Sequence, residues 1–267
     1  RAHVTQSLPG CDVMIRLPQL DVDSLDFPPL ESACRQPDGL LAFGGDLRPD
    51  RLLAAYARGI FPWYSAGQPI LWWSPDPRMV LATNKPHVPR RLQRWLKTCT
   101  WSIHADDAFA EVVRACAQPR HRGDGTWITA EMFSAYCHLH ELGHAHSLEV
   151  RDRGELVGGI YGVAIGRMFF GESMFSRRDH ASKLALLALC RGLATVGFPL
   201  LDAQVSSNHL RSLGGHELPR NAFCAQVADL AQRPPWRGNW AGHFNAIKPL
   251  DLIPVRNDGA SDSPASG

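Results

Sequence analysis

Residues 154–187 have the sequence GELVGGIYGVAIGRMFFGESMFSRRDHASKLALL, in which short apolar runs are followed by a longer one. The runs at 155–163 and 167–175 are rich in β-branched and aromatic residues and predict two strands joined by a tight turn. The residues at 181–196 predict a helix, and those at 199–205 predict a further strand. Strands and helices in this order predict an α+β fold with helices packed on a sheet.

The flanking residues extend this pattern toward the N-terminus and the C-terminus. A strand is predicted at 147–150, and helices are predicted at 88–98, 128–142 and 222–232. Thr129 is the expected N-cap of the helix at 128–142. We therefore expect the larger part of the chain to be one domain covering residues 78–250.

The residues before this domain have a different composition. The stretch Ile60–Arg78 (IFPWYSAGQPILWWSPDPR) contains three tryptophans and four prolines, which excludes a helix there. Pro49 is the expected first residue of a short helix. We expect a small N-terminal domain at residues 15–77, with disordered segments at 1–14 and 255–267.

Composition limits the classes of protein. The chain has 267 residues, 45% of them hydrophobic, and a formal net charge of +2, so any nucleic-acid surface must be a local patch. Seven cysteines, an odd number, without a C-x-x-C pair argue against a disulfide framework and predict reduced thiols. No apolar stretch reaches the length of a membrane span. We therefore expect a cytoplasmic protein that does not bind membranes, and a monomer.

One short motif suggests a zinc protease. The sequence His140-Glu141-Leu142-Gly143-His144 matches H-E-x-x-H, in which two histidines one helical turn apart bind zinc. Here Gly143 lies inside the motif and a strand is expected a few residues later. A helix that ends at Gly143 removes His144 from the required register, so we predict no metal site.

Three polar residues follow or interrupt apolar strands. Glu172 lies among aromatic residues in FFGESMFS, where a carboxyl group needs a partner. Asp202 and Gln204 come at the end of the strand in PLLDAQV and, being two residues apart, are expected to point to the same face. These positions suit a catalytic site, although structural hydrogen bonding and loop capping remain alternative roles.

Long strings of uncommon composition cover most of the chain from Leu40 to Arg220, namely LLAFGGDLRPDRLLAAYARGIFPWYSAGQPILWWSPDPR (40–78), TWIT (126–129), HLHELGHAHSLEV (138–150), GELVGGIYGVAIGRMFFGESMFSRRDHASKLALL (154–187) and LLDAQVSSNHLRSLGGHELPR (200–220). With these strings the chain resembles the leucyl/phenylalanyl-tRNA–protein transferase family. The resemblance implies a small N-terminal domain followed by a domain of the N-acetyltransferase superfold with a mostly antiparallel sheet. It implies no metal and no organic cofactor.

The resemblance also implies a reaction and its participants. The donor is Leu-tRNA or Phe-tRNA, and less readily Met-tRNA. The acceptor is a protein with N-terminal Arg or Lys, which the added residue marks for degradation. The residues implied are Trp63 and Trp127 for the terminal adenosine, Glu172, Asp202 and Gln204 for catalysis, and Ile160, Phe169, Leu186 and Leu189 for the apolar side chain. Ile160 and Leu189 stand where Met and Phe occur in better-known members.

Two roles are open for Asp202 at this stage. It can accept the proton of the attacking α-amine, whose ordinary pKa is about 8, or it can bind the cationic side chain of the acceptor. The body of the tRNA is expected on the basic face of the helix at 88–98, formed by Arg90, Arg91, Arg94 and Lys97, with Lys85 just before the helix.

Two other classes of protein compete with this interpretation. In an acetyl-CoA-dependent acetyltransferase the pyrophosphate binds to [Q/R]-x-x-G-x-[G/A], but the nearest match, residues 151–156, lies in a predicted hairpin turn. A non-enzymatic RNA-binding module explains the basic helix and the tryptophans, but it leaves Glu172, Asp202 and Gln204 without a role.

Overall fold

The structure is a computed structural model that describes residues 5–8, 11–118 and 126–254. Its strands are β1 (Thr5–Leu8), β2 (Cys11–Arg16), β3 (Gln19–Leu20), β4 (Leu40–Gly44), β5 (Phe61–Pro62), β6 (Leu71–Trp73), β7 (Arg78–Ala82), β8 (Ser102–Ala105), β9 (Ala145–Asp152), β10 (Glu155–Ile165), β11 (Met168–Ser176), β12 (Leu200–Gln204) and β13 (His216–Leu218). Its α-helices are α1 (Pro49–Tyr56), α2 (Arg90–Leu96), α3 (Phe109–Cys116), α4 (Ala130–Glu141), α5 (Ala181–Thr195), α6 (Asn208–Arg211), α7 (Arg220–Gln232) and α8 (Trp240–Phe244).

The central sheet has seven strands in the order β13-β7-β12-β11-β10-β9-β8. All neighbouring pairs are antiparallel except β11 and β12, which are parallel and are joined by α5. A second sheet, in the order β3-β4-β6-β5, belongs to the N-terminal part of the chain. The predicted α+β fold with a mostly antiparallel sheet and flanking helices is confirmed.

The predicted elements of the larger part are present, with ends that differ by a few residues. Helix α4 begins after Thr129, whose hydroxyl oxygen accepts a hydrogen bond from the backbone amide of Met132, as expected of an N-cap. Strands β7, β8 and β13 and helices α3, α6 and α8 were not predicted. Each of these has at most eight residues, which is short for recognising a periodic pattern.

Part of the segment predicted to be disordered, residues 1–14, is described by the structure as strand. Strands β1 and β2 pair in an antiparallel hairpin, with Thr5 opposite Arg16 and Leu8 opposite Cys11. The run CDVMIR contains Val13 and Ile15, whose branched side chains favour strands. The predicted tail at 255–267 lies outside the described residues.

The two faces of the central sheet are covered by two apolar clusters. One contains α2 and α5, and the other contains α3, α4 and α7. The second cluster also includes Leu52 and Tyr56 of α1 and Trp72 of β6, so the N-terminal part packs directly on the central domain. In the described part of the chain, the helices fall short of the length and apolar character that crossing a membrane requires.

One carboxyl group is buried in the sheet away from the strand ends. Glu149 of β9 is fully buried and accepts hydrogen bonds from the Ser147 hydroxyl at 2.6 Å and the Ala108 amide at 3.4 Å. Burial raises the pKa of Glu149 from 4.5 to about 7, while the hydrogen bond from Ser147 opposes the rise. The fold therefore favours the neutral form of this side chain.

This raised pKa makes stability depend on pH. The favourable contribution of neutral Glu149 is complete below pH 4.5 and is lost as the pH rises through about 7. Glu149→Gln keeps the neutral shape, so we expect the variant to be more stable than the wild type at pH 8 by up to about 3 kcal/mol. The two proteins should be equally stable near pH 4.5. Urea unfolding at both values measures the difference, and a difference independent of pH contradicts the assignment.

Candidate active site

A cleft opens where the parallel strands β11 and β12 separate. The pairing of these strands covers only Met168–Phe170 and Leu200–Asp202, and the strands diverge beyond it. The resulting cleft has a volume of about 860 Å³. Its lining comes from β5, α3, β11, the start of α5 and the segment after β12, and includes Trp63, Trp127, Glu172, Met174, Arg177, Ser182, Gln204, Ser206 and Leu210.

Two β-bulges direct side chains into this region. Glu172 is an extra residue in β11, because Gly162 and Tyr161 of β10 pair with Gly171 and Ser173. Ala203 is the extra residue in β12, because Val80 and Met79 of β7 pair with Asp202 and Gln204. A bulge interrupts the alternation of side chains and changes the direction of a neighbouring one, which is common next to active sites.

A chain of buried polar groups connects the two strands. The guanidinium of Arg78 donates to both carboxylate oxygens of Asp202, at 2.8 and 2.6 Å. The Asp202 carboxylate also accepts from the backbone amide of Gln204 at 2.8 Å, and the Gln204 amide donates to Glu172 at 2.7 Å. The orientation of the Glu172 carboxyl group therefore depends on the buried Arg78–Asp202 ion pair.

The second oxygen of Glu172 is held by tyrosines. Tyr136 of α4 donates to it at 2.7 Å, and the hydroxyl oxygens of Tyr136 and Tyr56 are 2.5 Å apart. Burial raises the pKa of Glu172 from 4.5 to about 7, while the hydrogen bonds from Tyr56 and Tyr136 oppose the rise. The pKa values of both tyrosines lie well above 10, because they are buried beside this carboxyl group. Glu172 is therefore a group of the cleft that changes its charge near neutral pH.

The structure brings both predicted tryptophans to the cleft. Trp63 is 41% exposed, an unusual fraction for a large ring, and its backbone carbonyl accepts from the Trp73 indole at 2.6 Å. Trp127 precedes α4 and lines the same cleft. Two partly exposed indole rings on one cleft suit the binding of a flat aromatic ligand.

The four predicted pocket residues lie together but do not line the open cleft. Ile160, Phe169, Leu186 and Leu189 are all at most 3% exposed and belong to the apolar cluster that contains α5. Met174 connects the two regions, because it lines the cleft, lies opposite Ile160 in the sheet and packs against this cluster.

Asp202 differs from its prediction. It is fully buried, does not line the cleft, and both of its oxygens already bind Arg78. Asp202 and Gln204 do not share a face either, because the bulge at Ala203 places them opposite consecutive residues of β7, and Gln204 has a φ of 59°. The assumption of an unbroken strand was therefore wrong.

Comparison with known proteins identifies the family. The family model described as leucyl/phenylalanyl-tRNA protein transferase matches residues 80–228, and the model of its N-terminal domain matches residues 45–76. A leucyl/phenylalanyl-tRNA–protein transferase of Xanthomonas axonopodis pv. citri (strain 306) is 59% identical over 227 residues, which are 84% of this chain and 91% of the relative.

The chain belongs to the leucyl/phenylalanyl-tRNA–protein transferase family. A relative of the same name from Aromatoleum aromaticum is 55% identical over 216 residues, which are 81% of this chain and 91% of that protein. Among solved structures, a GCN5-related N-acetyltransferase from Kribbella flavida is similar with a TM-score of 0.34 and 14% identity, covering 64% of this chain and 61% of that one.

The predicted basic face is present on helix α2 of this family member. Leu92 and Leu96 are buried, whereas the predicted basic residues are all exposed, namely Lys85, Arg90, Arg91, Arg94 and Lys97. Within the part of the chain that the structure describes, no acidic side chain forms a salt bridge with any of these five. Trp95 contacts His180, which immediately precedes α5 at the cleft, with ring centroids 5.1 Å apart.

The HELGH motif of this family member does not have the geometry of a zinc protease. Helix α4 ends at Glu141, and Gly143 has a φ of 77°, so His144 is not on the helix. His140 stacks on Phe109 with ring centroids 4.2 Å apart, and its Nδ1 lies 2.8 Å from the carbonyl oxygen of Ala145. The motif is therefore a helix end packed against α3 and β9.

Sequence reasoning missed three residues of the buried polar chain. Arg78 ends the Pro- and Trp-rich stretch and directly precedes the apolar run MVLA, where a charge that becomes buried needs a partner. Tyr56 and Tyr136 lie in helices, and the apolar pattern of a helix gives no sign that either residue has a polar partner. Their pairing joins α1 to α4 across 80 positions of the chain, and periodicity cannot predict such a contact.

Proposed function

We propose that the protein transfers Leu or Phe, and less readily Met, from aminoacyl-tRNA to the α-amine of proteins that begin with Arg or Lys. The observation that carries this proposal is a single cleft that combines exposed tryptophans with a buried carboxyl group of pKa about 7. We place the activity in the cytoplasm and expect a monomer. The added residue would mark the acceptor for degradation.

The donor end of the cleft suits the 3′-terminal adenosine. Trp63 and Trp127 are the partners that would stack on the base, a contact worth about 1–3 kcal/mol for each base. The aminoacyl side chain would then enter where Met174 and Leu210 meet the cluster of Ile160, Phe169, Leu186 and Leu189. An apolar subsite at this point favours Leu, Phe and Met over polar side chains.

The reaction is aminolysis of the ester that joins the amino acid to the tRNA. The nitrogen of the acceptor's α-amine bonds to the ester carbon, the bond to the ribose oxygen breaks, and the amine proton must leave. Glu172 is the candidate to accept this proton and return it to the ribose oxygen, because its pKa is about 7 and it lines the cleft. Because the ester is already activated, the transfer reaction requires no ATP.

Asp202 and Gln204 then act as positioning residues. The Asp202 carboxylate, held by Arg78, fixes the backbone of Gln204, and the side chain of Gln204 fixes one oxygen of Glu172. This arrangement supports neither of the two direct roles considered for Asp202, because its carboxylate is neutralised by Arg78 and is shielded from the cleft. A fixed carboxylate contributes through preorganised geometry.

The exposed basic face of α2 is the candidate surface for the body of the tRNA. Replacing Arg90, Arg91 and Arg94 with Ala should weaken the binding of Leu-tRNA and flatten its salt dependence. Each lost phosphate contact changes the log–log slope by about 0.7 to 0.9, so three contacts change it by about 2 to 3. Filter binding at several salt concentrations measures the slope.

Two controls accompany this experiment. Leucyl-adenosine lacks the body of the tRNA, so the triple variant and the wild type should use it almost equally well. Arg233→Ala with Arg237→Ala removes two exposed arginines around the end of α7 and should leave the slope unchanged. Retention of the full slope by the triple variant contradicts the assignment of α2.

The proposal is tested by mixing the protein with labelled Leu-tRNA and a protein that begins with Arg. Appearance of the label in the acceptor protein supports transfer. Binding of Leu-tRNA without transfer favours an RNA-binding module instead.

A further inference from the structure

Few carboxyl groups line the cleft to pair with the cationic side chain of an acceptor that begins with Arg or Lys. Among the described residues that line it, Glu172 is the only carboxyl group, and both of its oxygens are already hydrogen bonded. Asp202 lies behind it and is neutralised by Arg78. A guanidinium or ammonium group brought in by the acceptor must therefore find its partner at the edge of the cleft.

Glu217 of strand β13 has the required position. Its carboxylate accepts a hydrogen bond from the hydroxyl of Ser206, and Ser206 lines the cleft. The register of the sheet places Glu217 and Gln204 on either side of the same residue, Met79 of β7. Two strand spacings separate them, about 10 Å. Because Gln204 contacts Glu172, an acceptor with its α-amine near Glu172 would need a long side chain to approach Glu217, as Arg and Lys have.

Glu217 also has an oxygen available for a ligand. The Ser206 hydroxyl and the Arg211 guanidinium both donate to the same oxygen of the carboxylate, Oε1. The side chain is 35% exposed, and its pKa lies below 4.5, mainly because of the hydrogen bond from Ser206. The carboxylate is therefore ionised at neutral pH. The exposed ion pair with Arg211 is weak enough for a second cation to join it.

We propose that Glu217 binds the cationic side chain of the acceptor's first residue and thereby selects Arg and Lys. This inference rests on the proposed function, because it assigns one subsite of the same cleft. It separates selectivity from chemistry: Glu217 contacts the side chain of the acceptor, whereas Glu172 acts on its α-amine.

The test compares two peptides that differ only in charge. One begins with arginine and the other with citrulline, which has nearly the same shape but is neutral. The wild type should show a higher kcat/KM for the arginine peptide. Glu217→Gln should raise KM for the arginine peptide by about 10- to 100-fold, because hydrogen bonds to charged groups are the stronger ones. It should leave the KM for the citrulline peptide and the KM for Leu-tRNA unchanged. The ratio of kcat/KM for the arginine peptide to that for the citrulline peptide should therefore fall toward one.

Other outcomes have distinct meanings. A merely structural role of Glu217 lowers transfer to both peptides equally and preserves their ratio, which overturns the inference. An unchanged ratio at full activity overturns it as well. The control is Glu141→Gln, an exposed carboxylate at the end of α4, which should keep the wild-type ratio. Absence of transfer by the wild type to either peptide would instead refute the proposed function.

Discussion

Glu172→Gln is expected to lower the rate of transfer from Leu-tRNA by about 100- to 10,000-fold, the usual contribution of a general acid–base group. The variant keeps a neutral, hydrogen-bonded side chain beside Tyr136 and Gln204, so the fold and the binding of Leu-tRNA should be retained. Single-turnover transfer, measured together with the affinity for Leu-tRNA, separates the loss of chemistry from a loss of binding.

The pH dependence of the same variant identifies the cause. The wild type requires ionised Glu172, so its rate should rise with pH until the pH passes the pKa of about 7. In Glu172→Gln this part of the profile should disappear, and only the ionisation of the acceptor's α-amine, near pH 8, should remain. A variant that transfers at the wild-type rate, or that keeps the rise near pH 7, contradicts the role of Glu172.

Asp202→Ala is expected to destabilise the protein as well as to reduce transfer. It leaves the fully buried guanidinium of Arg78 without its counter-charge, which typically costs about 3–5 kcal/mol of unfolding free energy. Gln204 would also lose the acceptor of its backbone amide. Urea unfolding and transfer assays should therefore both detect this substitution.

A double variant separates the two effects. Arg78→Met with Asp202→Leu removes both charges and keeps apolar groups against Phe61 and Phe223, over whose rings the guanidinium lies at 4.7 and 4.6 Å. We expect it to recover most of the stability lost in Asp202→Ala but not the transfer activity, because Gln204 remains unsupported. Wild-type turnover in the double variant would show that the ion pair has no part in positioning Glu172.

Local patterns were sufficient to predict much of the fold. The strands β9 to β12 and the helices α4, α5 and α7 have clear apolar periodicity and turn residues at their ends, and the structure contains them all. Strand β7 was missed because it has only five residues and its first one, Arg78, ends the Pro- and Trp-rich stretch. Yet β7 contributes Arg78 and lies between β12 and β13. Without a predicted β7, nothing in the sequence indicated that Gln204 and Glu217 lie on either side of the same strand.

The candidate site was only partly predictable, because it depends on a β-bulge and on a contact between distant helices. Glu172 stood out as a carboxyl group among apolar neighbours, and the structure places it in the cleft. The orientation of Gln204 relative to Asp202 could not be predicted, because one extra residue in a strand reverses the face of those that follow, and no residue type marks that bulge unambiguously. The pairing of Tyr56 with Tyr136 depends on how α1 packs against α4, which local sequence does not encode.

The most direct test of the proposed activity is to determine which atom of the acceptor peptide receives the labelled Leu from Leu-tRNA. Purified protein, labelled Leu-tRNA and a peptide beginning with Arg are incubated without ATP and without acetyl-CoA, and the product is sequenced by mass spectrometry. The account predicts one Leu joined to the peptide's α-amine, deacylated tRNA in equal amount, and no product when the α-amine is acetylated. Tight binding of Leu-tRNA with no labelled peptide, or a label that persists on the acetylated peptide, would contradict it.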